Sequence, residues 1–368
     1  MYKIPTARLD VDAHFADVSG RVRKLMRGFL EGNTFQTSYR DDVTAIIRVS
    51  PDTTHPTLTR RWLQRCVDSN AELRRLLCGD FDEQMSLIRE VYADNPNHFK
   101  REFNSNAPAT IRRQSEPRYV DSFHELFRHI FVERMFEGKY DEPAPMRKTE
   151  FIEHLHLRLC PYCGDTIIGR SARYANGNIH VVDPELDHFL PKSIYPFLAL
   201  NCFNLIPSCH ACNAAPNKGT ADPLGNDKRH EYLMNPYCFR DSAYEFDYVI
   251  KGGSYYDSTN YEVLFDYKGN TDLPVGYQEI MTTESHYKLN HPYTVGKIYR
   301  SFISQANNAR QLYKGVHIPV DYWDNNVEGI LQFPLQTPFD MDEEAYKLKK
   351  DLFEKMRLLD WDKPISLS

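Results

Sequence analysis

The chain has 368 residues, a net charge of −6, 41% hydrophobic and 13% aromatic residues. That length predicts two or three folding units with ample core material. No apolar run is long enough to span a bilayer, and the start Met1-Tyr2-Lys3-Ile4-Pro5 lacks the apolar stretch of a secretory signal.

Residues 1–145 read as a mainly helical domain. Val11 to Leu30 has apolar positions at helical spacing, with Arg21, Arg23, Lys24 and Arg27 on the other side. A second helix is predicted from Thr57, after Pro56, to Leu77, before Gly79. Asp80 caps a third that runs to Tyr92. Asn104 to Arg118, with Pro108 and Pro117, reads as a loop. Asp121 to Phe136 is amphipathic and ends at Gly138. Glu142-Pro143-Ala144-Pro145 marks a boundary, and a helix from Arg147 to Leu159 leads into the central region.

The central region, 146–240, carries the chemistry. Cys160-Pro161-Tyr162-Cys163 and Cys209-His210-Ala211-Cys212 have the same spacing. Two residues between cysteines let both sulfurs face one ion, and zinc prefers four thiolates in a tetrahedron. Unliganded thiols or two disulfides are the competing readings. Tyr162 and Gly164 suit a tight knuckle and favour one structural zinc. The pairs stand about 45 residues apart, longer than the spacers of simple zinc modules, so something is inserted between them. The insertion holds Asp187-His188-Phe189-Leu190-Pro191-Lys192-Ser193 and Asn204-Leu205-Ile206; Asn213 directly follows the last cysteine. Cys66, Cys78, Cys202 and Cys238 read as core residues, and eight cysteines in this pattern fit a reducing cytoplasm.

This stretch of about 60 residues resembles the HNH nuclease family, also called the ββα-metal family. Asp187, His188, Phe189, Leu190 and Pro191 match its first strand. Asn204-Leu205-Ile206 matches the second, and Asn213 the opening of the helix, followed by Lys218 and Gly219. The resemblance implies hydrolysis of DNA phosphodiester bonds. A neutral His can take a proton at neutral pH, so His188 is the expected general base. Asp187 and Asn213 offer hard oxygens suited to Mg²⁺ or Mn²⁺. Asn204 is expected to fix the loop that aims His188, and Lys218 to sit on a phosphate as a point charge. Ala214-Ala215-Pro216 widens the step from Asn213 to Lys218, leaving open whether Asn213 or Asn217 faces the ion. Pro216 would be tolerated in the first turn of a helix. His210 is expected to face solvent or DNA; His180, Asp183 and Glu185 lie near the first strand. The wider stretch is similar to bacterial HNH proteins of anti-phage systems, often found beside an ATPase, which implies that a regulatory protein partner acts with it. Restriction and mobile-element nucleases share the same core.

Residues 241–368 read as an α+β region. Leu233-Met234-Asn235-Pro236-Tyr237 turns into a small sheet, with strands at Tyr244–Ile250 and Tyr261–Tyr267 around Lys251-Gly252-Gly253. Helices are expected at Tyr293–Tyr313 and Met341–Leu359, and a surface loop at Asp321–Glu328. The acidity lies here: residues 1–150 carry about +1, 151–240 about zero and 241–368 about −7. DNA contact needs only a local basic face, and the candidates are Arg60-Arg61-Arg65, Arg74-Arg75, Arg112-Arg113, Arg158, Arg170 and Arg173. The whole is α+β. No Walker motif or dinucleotide loop occurs. A non-catalytic zinc module binding nucleic acid or protein is the alternative; it has no use for Asp187, His188 and Asn213 together. A zinc deaminase needs a His-x-Glu before its Cys pair, and none is suitably placed.

Overall fold

A computed structural model of the chain describes residues 3–32, 35–39, 43–48, 53–54, 56, 58–94, 118–119, 126–138, 146–168, 171–175, 178–182, 185–215, 217–224, 232–254, 256–269, 272–314, 316–331 and 345–362. Helix α1 spans Val11–Leu30, as its periodicity predicts. Asp10 caps it by accepting from the Ala13 N–H at 2.9 Å, and Val18, Val22, Met26 and Phe29 face the core.

The helix predicted over Thr57 to Leu77 is two helices, α2 (Leu58–Asp68) and α3 (Asn70–Cys78). Ser69 is extended, and its hydroxyl accepts from Glu72 N at 3.2 Å, which restarts the helix. Helix α4 (Phe81–Asp94) opens on a reciprocal capping box. Asp80 accepts from Glu83 N at 3.0 Å, and Glu83 accepts from Asp80 N at 3.2 Å. The N-terminal region also holds a sheet that the helical reading missed. β1 (Phe35–Tyr39) and β2 (Val43–Arg48) are antiparallel, and β3 (Arg118–Tyr119) joins β2 in parallel. The predicted loop 104–118 otherwise lies outside the described residues. So do the 142–145 boundary, the start of the 121–136 helix, Arg112, Arg113, Arg170 and Asp183.

Helix α5 (Arg128–Phe136) is wound one residue wider than an α-helix, as the Glu137 N–H to Val132 carbonyl bond of 2.8 Å shows. Helix α6 (Lys148–Leu155) stops short of the predicted Leu159 because His156 turns left-handed, φ 46°. Then come two hairpins, β4 (Ser171–Ala175) with β5 (Asn178–Val182), and β6 (Glu185–His188) with β7 (Leu205–Ser208). The one-turn helix α7 (His210–Asn213) follows.

In the C-terminal region β8 (Tyr244–Ile250) pairs antiparallel with β9 (Tyr261–Tyr267), Tyr244 opposite Tyr267, both as predicted. Tyr244, Phe246, Tyr261 and Val263 bury the alternate positions. Helices α8 (Thr283–Asn290) and α9 (Pro292–Tyr313) pack beside them. The acidic stretch expected as a loop forms α10 (Val320–Asn325) and α11 (Val327–Leu331) instead. Trp323 decides this: it is buried against Phe302 and Trp361. Helix α12 (Tyr346–Met356) ends three residues before the predicted Leu359, and residues 341–344 of that prediction lie outside the described residues. Small separate sheets among many helices make the architecture α+β. No helix among the described residues is long and apolar enough to cross a membrane.

The N-terminal helices support the loop behind β6. Phe81 meets Phe189 edge-on at 5.7 Å. Gln84 donates to Asn201 Oδ1 at 2.8 Å, Asn201 donates to the Leu76 carbonyl at 3.0 Å, and His14 donates to the Leu200 carbonyl at 2.7 Å.

Candidate functional site

The first cysteine pair sits in a tight loop closed by a bridge between Leu159 and Ile167. Cys160 N donates to the Thr166 carbonyl at 2.8 Å and Gly164 N to the Cys160 carbonyl at 2.7 Å. Gly164 turns with φ 67°, a conformation cheap only for glycine. The second pair sits where β7 runs into α7; Cys212 N and Asn213 N both donate to the Cys209 carbonyl at 3.1 Å. All four cysteines are buried, and their sulfurs lie within 4.8 Å of one another. A zinc tetrahedron with sulfurs at 2.3 Å has edges of about 3.8 Å. The donor set therefore fits one zinc ion. Hydrogen bonding with Cys160 pulls the Cys163 and Cys209 thiols below the usual thiol range. Of the other cysteines, Cys66, Cys78 and Cys202 are core residues as expected, whereas Cys238 is exposed.

Strands β6 and β7 place Asp187 opposite Ile206 and His188 opposite Leu205. Adjacent strand residues face opposite ways, and the two side chains find separate surroundings. Asp187, 4% exposed, faces the first knuckle. Its Oδ2 accepts from the Tyr162 hydroxyl at 2.5 Å, and its Oδ1 from Lys218 Nζ at 3.0 Å. Lys218 is fully buried and also donates to the His188 carbonyl at 2.6 Å. Lys218 thus braces the Asp187-His188 step from within.

His188, 6% exposed, lies edge-on to Phe136 at 4.4 Å. Its Nε2 is 2.9 Å from the Ala199 carbonyl. A carbonyl can only accept, so Nε2 carries the proton and Nδ1 the lone pair. Burial, with Lys192 adding to it, pulls the imidazole down to about 3, so it is neutral at physiological pH. Asn204 holds the intervening loop: Oδ1 accepts from Leu190 N at 2.7 Å, and Nδ2 donates to the Leu190 and Leu198 carbonyls at 3.0 and 3.1 Å. One side chain, just before β7, therefore ties both ends of segment 190–198, which leads directly into Ala199, the partner of His188.

Asn213 ends α7 and Ala214 is extended, whereas the resemblance put Asn213 at the opening of the helix, with Pro216 in its first turn. Asn213 Nδ2 donates to Glu185 Oε2 at 2.6 Å, while His210 Nδ1 is 2.6 Å from Glu185 Oε1. Glu185, two residues before Asp187 on the same strand face, is thus the carboxylate that Asn213 meets. Asn217 points elsewhere; its Oδ1 accepts from the Thr282 hydroxyl at 2.6 Å and its Nδ2 donates to the Ala211 carbonyl.

Two lysines close to His188 escaped the sequence reading. Lys148 Nζ lies 3.8 Å and Lys192 Nζ 4.9 Å from the Phe136 ring centre, on the ring that packs against His188. Lys192 also pairs with Glu137 at 2.8 Å. Lys192 stood within the recognised motif, but nothing in the sequence brings Lys148 to it. The basic clusters on α2 and α3 are less available than their charge implies: Arg65, Arg74 and Arg75 pair with Glu72, Asp12 and Glu90.

A carboxylate has about four lone-pair sites. Two on Asp187 are used, so it retains capacity for a cation, as does the Asn213 amide oxygen. That cation would share Asp187 with the Lys218 ammonium.

No family model matches the chain, and no solved structure does. Over 82 residues it is 39% identical to Septu protein PtuB of Bacillus thuringiensis, covering 22% of this chain and 29% of that protein. Over 170 residues it is 23% identical to protein ea31 of Escherichia phage lambda, covering 41% of this chain and 51% of that one. The chain thus spans less than a third of the first relative and about half of the second.

Proposed function

We propose that the chain is a metal-dependent endonuclease of the HNH type that hydrolyses DNA phosphodiester bonds in phage defence, together with a regulatory protein such as an ATPase. The observation that carries this reading is the state of His188. Its Nε2–H is committed to the Ala199 carbonyl and its Nδ1 lone pair is left for a water proton. The β6–β7 pair and the Asn204 side chain hold the loop that supplies the Ala199 carbonyl to His188. The sequence resemblance to HNH proteins of anti-phage systems and the partial likeness to a Septu protein and a phage protein support the biological setting.

In this reading His188 Nδ1 takes a proton from water, the water oxygen attacks phosphorus, and the bond to the leaving oxygen breaks, that oxygen taking a proton from solvent water. Asp187 and Asn213 would hold a divalent ion, which when bound neutralises charge on the phosphate and leaving oxygen. Glu185 orients the Asn213 amide, Lys218 and Tyr162 hold the Asp187 carboxylate, and Lys148, on the Phe136 ring that packs against His188, supplies positive charge for the DNA backbone.

Plasmid incubated with Mg²⁺ or Mn²⁺ and wild-type protein, with and without a co-purified partner, should be nicked or linearised. His188→Ala should leave it intact while retaining zinc. Intact plasmid with the wild type and its partner would overturn the assignment. A second reading, a non-catalytic zinc module, draws on the satisfied state of Asp187 between Tyr162 and Lys218. It predicts DNA or protein binding that His188→Ala leaves unchanged, with no cleavage by either protein.

A further inference from the structure

A second cluster of metal-ligating groups lies where the first knuckle meets the C-terminal helices. Asp165 follows Cys163-Gly164; His286 is the fourth residue of α8; His291 sits between α8 and α9. Their ligand atoms all lie within 4.8 Å of one another. His286 Nε2 is 2.7 Å and His291 Nε2 is 3.3 Å from the same oxygen, Asp165 Oδ2. We propose that Asp165, His286 and His291 bind one divalent transition-metal ion of the zinc class, separate from the ion of the four cysteines.

Three features point to an ion rather than to a shared hydrogen bond. First, a carboxylate bonded to two imidazoles would satisfy both rings, and here it satisfies one. His291 is 8% exposed, and its buried Nε2 faces the Asp165 carboxylate at 3.3 Å without forming a hydrogen bond to it or to any other group among the described residues. Such an atom is rare, because an unpaired buried polar group costs about 1–3 kcal/mol. Second, the spacing suits a metal. With ligands at 2.0–2.2 Å, a tetrahedron has edges of about 3.3 Å. The Asp165–His291 separation is 3.3 Å already, and the Asp165–His286 separation of 2.7 Å needs to open by about half an ångström. Third, each ring has a partner on its other nitrogen. His291 Nδ1 is 3.3 Å from the Thr294 hydroxyl, which can accept its proton; His286 Nδ1 is 3.0 Å from Asn290 Nδ2, so that amide turns over to present its oxygen when a metal takes Nε2. Outer groups of this kind orient metal-bound imidazoles.

The surroundings are rigid. Tyr287 stacks on His291 at 4.7 Å and donates to the Cys163 carbonyl at 2.7 Å. Two nitrogens and a carboxylate oxygen are borderline donors that suit zinc rather than magnesium or calcium. Three protein ligands leave one position open. The ion would pin α8 and α9 to the loop that carries Cys160 and Cys163, so the C-terminal region and the zinc knuckle would hold one another in place.

The test is zinc stoichiometry of the full-length protein, by elemental analysis after saturation and removal of free metal. Two zinc ions per chain are expected for the wild type and one for His286→Ala/His291→Ala. An Asp187→Ala protein should keep both. Cobalt(II) substitution of the wild type reads the same question without a variant. The sulfur site gives intense thiolate-to-metal charge transfer, and the second ion should add weak visible bands with no further charge transfer. Should the double variant not fold, Asp165→Asn is read for loss of one ion. One zinc per wild-type chain at saturation overturns the proposal. So does a second ion retained by a folded His286→Ala/His291→Ala protein, or one lost by Asp187→Ala.

Discussion

Replacing Lys218 by methionine tests whether the buried ion pair under the candidate catalytic step holds it together. Lys218 is fully buried, Asp187 is 4% exposed, and their charged atoms are 3.0 Å apart. Methionine keeps most of the side-chain volume but removes the ammonium. Asp187 is then left as a buried carboxylate with Tyr162 alone, and the His188 carbonyl loses its 2.6 Å donor. Removing one partner of a buried pair costs about 3–5 kcal/mol, since the survivor has neither water nor counter-charge. Against a typical total of about 5–15 kcal/mol, that loss is large. The assay is urea unfolding with zinc held constant, following far-UV circular dichroism alongside zinc release to a chromogenic chelator. Lys218→Met should lower both midpoints together, because the pair joins the knuckle to β6. Asp187→Asn/Lys218→Met should recover most of the loss, since the buried charge is gone. A single-variant loss below about 1 kcal/mol, or a double variant no better than the single, would refute the idea that the pair braces this step.

Asn204→Ala removes three buried hydrogen bonds to the Leu190 and Leu198 backbone. A loss of about 2–4 kcal/mol is expected, seen as a lower Tm, with cleavage falling further than the unfolded fraction accounts for. Stripping zinc with a strong chelator should unfold the central region, because structural zinc contributes about 10–16 kcal/mol of apparent binding energy in small modules. An unchanged melting curve after verified metal removal counts against the zinc clamp. Acidification should destabilise the fold through two histidines that burial holds neutral, His14 and His188, the latter at about 3. Unfolded histidine titrates near 6.5, so below that pH the unfolded chain binds more protons than the folded one. Stability is therefore full above about 6.5 and falls as pH drops toward the folded values, by at most about 5 kcal/mol for His188. His14→Gln should flatten part of this slope in unfolding midpoints measured between pH 7 and 5.

Where local chemistry decides a structure, the residues themselves were sufficient. The Asp10 cap and regular apolar spacing set α1, and alternating aromatics set β8 and β9. Matched cysteine pairs were enough to bring four sulfurs together. Some signals were present but unread. Ser69 and Glu72 form the N-terminal capping signature that splits α2 from α3, and Asn176-Gly177 lies between β4 and β5, the commonest hairpin pair. In the acidic segment 321–328, composition favoured a loop, but burial of a single Trp323 outweighed it.

The site divides the same way. Residue types and order gave the strand, strand and cysteine framework, since each follows from neighbours in the chain. Which side chains meet did not. Lys218 lies beneath Asp187, Asn213 reaches Glu185, Lys148 reaches Phe136 beside His188, and His286 and His291 reach Asp165 across more than 120 residues. Those pairings are settled by how helices and hairpins pack and by where burial leaves a polar group without water. No periodicity along the chain encodes such distances, so only the tertiary structure decides them.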